Sequence, residues 1–126
     1  HGIKRVFGKT ELDIPDEVTD PAKFPPHVRR RLEVIRGYLE TRRLRALVIA
    51  VPSRDRLLDR LPPSTETRAF AEFLGADFID GSEAFEGLSA GEIREHWLQY
   101  DGHWAQSGSD RFARHFAGVI SGWADR

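Results

Sequence analysis

Ala46-Leu47-Val48-Ile49-Ala50-Val51-Pro52-Ser53 is the stretch on which the fold turns. It is a short, unbroken apolar run, rich in β-branched residues and closed by a proline. Such a run fits a strand buried on both faces of a parallel sheet. Working outward, Pro62-Pro63 stops a short apolar-polar segment, Leu57 to Leu61. Ser64 or Thr65 can then cap a helix that runs to Leu74, with Phe70, Phe73 and Leu74 on its buried side. Gly75 suits the helix C-terminus. Ala76-Asp77-Phe78-Ile79-Asp80 is a second short strand, parallel to the first by the right-handed crossover rule. Strand, helix and strand make a βαβ unit, so the fold class is α/β.

On the N-terminal side, Val28, Leu32, Ile35 and Leu39 recur at helical spacing behind Pro26, which predicts a helix over about 26–44. Its other face carries Arg29, Arg30, Arg36, Arg42 and Arg43. That face is either a solvated surface whose arginine stems cover apolar area, or a contact for phosphate or polysaccharide. Residues 1–25 form an irregular arm or an edge strand. Pro15, Pro21, Pro25 and Pro26 make Asp13 to Pro26 a loop that cannot be regular. Two strands are few for a parallel sheet, so a third is expected from residues 3–12, from a missing part of the domain, or from a partner chain.

On the C-terminal side, Gly81 to Gly91 is loop-like, and Ile93, Trp97 and Leu98 give a turn or two of helix. Ser107-Gly108-Ser109-Asp110 resembles a capping box. Phe112, Phe116, Val119, Ile120 and Trp123 then form one stripe of a terminal helix, about 108–122.

The chain has 126 residues, fitting one domain, with 40% apolar and 31% charged residues and a net charge of −1. No global field argues for nucleic acid or an anionic membrane. There is no cysteine, which excludes disulfides and thiolate metal sites but leaves the compartment open. There is no methionine either, so His1-Gly2 is read as a tag remnant or the edge of a fragment. No apolar run approaches the ~20 residues that span a bilayer.

Chemistry concentrates in Tyr100-Asp101-Gly102-His103-Trp104. In an extended loop, residues i and i+2 point the same way. The Asp101 carboxylate can therefore accept from one nitrogen of the His103 imidazole and leave the other free as a base. The alternative is a structural hydrogen bond that stiffens the loop. Trp104 either walls a substrate site or packs beneath the loop. Ser53, at the carboxyl end of a strand, lies where ligands bind in open α/β sheets, or else caps the turn that follows. Asp101, His103 and His96 or His115 have metal-ligand chemistry, but no His-x-x-x-His or His-Glu-x-x-His spacing occurs, so no metal site is expected.

Asp101-Gly102-His103-Trp104-Ala105-Gln106-Ser107-Gly108 resembles the last conserved block of the SGNH (GDSL-type) hydrolases. More narrowly it resembles the Asp-x-His-Trp-x-x-x-Gly variant of bacterial carbohydrate esterases and alginate-type O-acetyltransferases. The likeness extends back through Val51-Pro52-Ser53, the helix, the strand ending at Asp80 and a Phe-containing loop, from Arg45 to Gly122. It implies a partial three-layer α/β/α fold of flavodoxin type over 26–126, with a short parallel sheet and a C-terminal helix. It also implies Ser-His-Asp ester hydrolysis or O-acyl transfer, with Asp101 and His103 catalytic and Trp104 and Ser53 near the substrate. The implied substrate is an acylated carbohydrate or other ester, the implied location extracytoplasmic, and no cofactor is implied. Two departures stand out. Ala105 replaces the Asn, Ser or Thr common in relatives, and the chain contains no Gly-Asp-Ser turn or oxyanion blocks. The segment is therefore expected to be part of a hydrolase domain, or a relative without its nucleophile. The alternative is a non-catalytic polysaccharide-binding or protein-interaction module of the same fold.

Overall fold

The structure is a computed structural model that describes residues 2–7, 10–15, 20–62 and 65–126. It is mixed α/β, with strands β1 (Gly2–Phe7), β2 (Thr10–Pro15), β3 (Leu47–Ala50) and β4 (Asp77–Asp80) and helices α1 (Pro26–Arg42), α2 (Arg54–Leu58), α3 (Thr65–Leu74), α4 (Ala90–Glu95) and α5 (Gln106–Ala124). β3 and β4 form the short parallel sheet expected from the apolar run. The chain divides into two compact units, residues 1–48 with 64–78, and residues 49–63 with 79–126.

In the first unit, β1 and β2 pair antiparallel with Lys4 opposite Asp13 and Val6 opposite Glu11. This corrects the expectation of an arm that adds a third strand to the parallel sheet: the two strands form a sheet of their own. Only Gly8 and Lys9 separate them, far short of the crossover a parallel partner would need. The proline-rich stretch is also more regular than expected. β2 runs to Pro15, and Pro21–Lys23 makes one 3₁₀ turn whose Asp20 side chain accepts from the Ala22 N–H.

α1 begins at Pro26, where a missing N–H costs nothing, and ends with Arg43 in the left-handed region at φ 54°. Phe24, Leu32 and Ala69 are buried, and Val28, Phe70, Phe73 and Leu74 pack against them. The Phe24 and Phe70 rings lie 4.9 Å apart. Much of the arginine face is used locally. Arg29 and Arg36 reach Glu33 and Glu40 one turn on, and Arg36 sits 4.3 Å over the Phe73 ring. Exposed pairs of this kind contribute little stability, so the stems matter more than the charges. α3 ends at Gly75, whose φ of +67° lets the Ala76 N–H return to the Ala71 carbonyl.

In the second unit, Ala84, Phe85, Ile93, Trp97 and Phe116 are buried, with Leu57, Leu58, Trp104 and Phe112 packed on them. The stretch from Gly81, expected as loop, holds a 3₁₀ turn and the start of a helix. α2 starts on the Ser53 cap, and Gly81–Phe85 is a 3₁₀ turn capped by Asp80. α4 starts on a reciprocal capping box between Ser89 and Glu92. The helix expected to include Trp97 and Leu98 stops at Glu95, because Trp97 turns away to bridge Trp104. Two glycines seat α5 and the strand ends. A β-carbon at Gly81 would overlap the Ala50 carbonyl oxygen, and one at Gly108 would overlap the carbonyl oxygen of His96.

Two substitutions test this packing. Gly108→Ala should lower stability by about 1–3 kcal/mol, the cost of overpacking. Phe116→Ala, at a ring only 2% exposed, should lower it by about 3–5 kcal/mol. Urea unfolding of both proteins measures each shift, and a wild-type midpoint for either would contradict the packing described.

Candidate active site: the Asp101–His103 loop

The loop is built by its base. Trp97 and Trp104 form an isolated antiparallel bridge. Around it the Leu98 N–H donates to the His103 carbonyl at 3.0 Å, and the Ala105 N–H donates to the His96 carbonyl at 2.9 Å. The indoles lie edge to face at 6.4 Å, and Trp104 also packs tilted against Phe112 at 4.7 Å. Trp104 is thus half-buried in the aromatic core under the loop, the packing role rather than an open wall. Residues 99–102 cross over this base, and the Arg54 side chain reaches the Leu98 carbonyl at 3.4 Å.

On the loop, Asp101 accepts from the His103 backbone N–H at 3.1 Å and from the His103 ring Nδ1 through the same Oδ1. An ionised carboxylate has no proton, so Nδ1 donates and the neutral ring keeps its lone pair on Nε2. The His103 ring bond first, and its backbone N–H second, hold the Asp101 carboxyl below the ordinary aspartate range. His103 is 85% exposed at its side chain, and Asp101 is its one side-chain partner among the described residues. The pair is therefore an oriented base open to solvent.

No described serine hydroxyl is bonded to His103. Ser53 accepts from the Arg56 N–H, so the residue expected at the substrate edge serves as a helix cap. Ser82 bonds Asp80, and Ser89 accepts from the Glu92 N–H. Ser107 lies 2.9 Å from the Nδ1 of His96 and 3.4 Å from the Glu95 carbonyl. This overturns the capping box expected at Ser107. α5 begins two residues earlier, at Gln106, with Ala105 as an N-cap that makes no side-chain bond, and Asp110 instead accepts from Gln106. His115 is tied to Glu83 at 3.0 Å, and among the described residues no three His, Asp or Glu gather to hold a metal ion. No described helix is long and apolar enough to cross a membrane.

Sequence reading missed an open cavity of about 720 Å³, lined by residues of α2, the 3₁₀ turn after β4 and the start of α4. Asp101 and His103 do not line it. Its walls come from separate stretches of chain, so no single motif marks it. Comparison with protein-family models, curated proteins and solved structures gives no match for the chain.

The lowered Asp101 value sets a pH dependence. Its stabilising bond is fully present above the ordinary aspartate range and is lost as pH falls through the lowered Asp101 value. Carboxyl ¹³C titration should show Asp101 titrating below the ordinary aspartate range, and His103→Ala should raise it part of the way back, because the ring bond is lost while the backbone N–H stays. Because the ring is exposed, that substitution should also change overall stability by less than about 0.5 kcal/mol. Unfolding of the variant under expression conditions would instead make the pair structural.

Proposed function

We propose that these residues carry the acid–base part of an SGNH-type ester hydrolase or O-acyltransferase. The single observation behind this is the Asp101–His103 bond, which holds Nδ1 and presents Nε2 to solvent. In this reading His103 Nε2 takes the proton from a serine hydroxyl as its oxygen attacks the acyl carbonyl. The protonated ring then gives that proton to the departing alcohol, leaving an acyl-serine. Water or an acceptor alcohol, deprotonated in turn by Nε2, releases the acyl group. Asp101 holds the tautomer and stabilises the imidazolium. The parallel β3–β4 pair followed by α5 supports a partial α/β/α layer arrangement, and the substrate class by resemblance is an acylated carbohydrate.

Among the described residues no serine hydroxyl is bonded to His103, and those of Ser53, Ser82, Ser89 and Ser107 are held elsewhere, so this reading takes its nucleophile from a different segment, in flanking sequence or a partner chain. A fluorophosphonate probe should therefore leave the 126-residue chain unlabelled. In the full-length gene product it should label a serine outside the segment, and His103→Ala should slow labelling by about 10²–10⁴-fold. Single-site labelling of the isolated segment, or labelling of the full-length product at the same rate without His103, would sink the proposal.

A further inference from the structure

Just beyond the carboxyl end of β3, α2 opens with Arg54 on the Ser53 cap. That is the edge from which open α/β sheets serve a site. Ser53 is committed to the cap. The side chain that links this edge to the Asp101–His103 loop belongs to its neighbour. Arg54, 28% exposed at its side chain, donates from Nη1 to the Leu98 carbonyl, 44 residues on in sequence. Both lie in the second unit.

Leu98 touches the backbone of both members of the pair. Its carbonyl also accepts from the Asp101 N–H at 3.4 Å, and its own N–H donates to the His103 carbonyl at 3.0 Å. Two donors sharing the Leu98 oxygen each sit at the long end of hydrogen-bonding range. Among the described residues, Arg54 supplies the one side chain from outside the loop that hydrogen-bonds any of residues 98–103. Its Nε lies 3.5 Å from the Asp55 carboxylate. A guanidinium carries its donors in a fixed planar fork, so the Asp55 contact helps to aim the Nη1 that meets Leu98. A lysine, with a single ammonium on a flexible stem, cannot hold both.

We propose that Arg54 is a positioning residue for the Asp101–His103 pair. It clamps the Leu98 carbonyl, and through it the backbone from which carboxylate and imidazole project. As a contribution to catalysis this rests on the hydrolase or acyltransferase reading above. A general base must lie within hydrogen-bond reach of the hydroxyl it serves, and a misplacement of about 1 Å can cost on the order of 10²-fold in rate.

The clamp is tested first in the 126-residue chain, where no nucleophile is needed. Arg54→Ala and Arg54→Lys should both remain folded in urea titrations. Amide exchange at Leu98 and Asp101 should quicken by about tenfold in both, the low end for a bond from a charged donor, while the amides of α5 keep their rates. Long-range ¹H–¹⁵N spectra should show the His103 ring with its proton on Nδ1 in wild type and as a mixture of tautomers in both variants. In the full-length gene product, Arg54→Ala should slow fluorophosphonate labelling by about tenfold or more, and Arg54→Lys should not restore it. The double variant with His103→Ala should label no more slowly than His103→Ala alone, because Arg54 acts through that ring. Wild-type exchange and tautomer in Arg54→Ala would overturn the inference. So would unfolding of both single variants, or a further loss in the double variant. Unchanged labelling in His103→Ala would sink the hydrolase reading by itself, and the spectra of the 126-residue chain would still decide the clamp.

Discussion

The contact between Gly108 and the His96 carbonyl governs the second unit of the molecule. A helix can meet a backbone carbonyl this closely only where it has no β-carbon. That approach brings the start of α5 against residues 96–97, where the Ala105 N–H finds the His96 oxygen and Trp104 finds Trp97. The loop carrying Asp101 and His103 is then closed at its base. The aromatic group of Phe85, Trp97, Trp104, Phe112 and Phe116 fills the space beneath it. Gly81 does the same at the strand ends, letting the turn after β4 lie against Ala50. Arg111, bonded to the Ala84 carbonyl at 2.6 Å, ties α5 to that turn.

The elements legible in the sequence were those with a long-range pattern. The apolar run at 47–50 and the helical periods of α1, α3 and α5 each draw on many residues, so a single misplaced side chain does not hide them. α2 and α4, of five and six residues, are too short for a period, and only their caps announce them. Ser89-x-x-Glu92 was such a cap and could have been read. Ser107-Gly108-Ser109-Asp110 has the same form and misleads, because the Ser107 hydroxyl is drawn to His96, eleven residues away in sequence.

The site divides along the same line. Asp101 and His103 are two residues apart, so their bond is a local fact and was visible in the sequence. Ser53 presented two local possibilities, and the structure gives its oxygen to the Arg56 N–H. Trp104 depended on what lay beneath it, which no neighbouring residue could tell. The cavity walls come from residues 56–61 and 80–93, and their meeting is a tertiary event without a sequence signature. The resemblance to SGNH hydrolases rests on the local motif, and the comparisons leave it as a reading of those residues.

The closure of the 98–103 loop is made by backbone N–H and carbonyl groups. Leu98, Tyr100, Asp101, Gly102 and His103 all lie exposed above it. Architecture and chemistry are thereby uncoupled at this point. The rim can accept new side chains with little penalty to folding, so its surface chemistry can drift by point substitution. The indoles and Gly108 below have no such latitude.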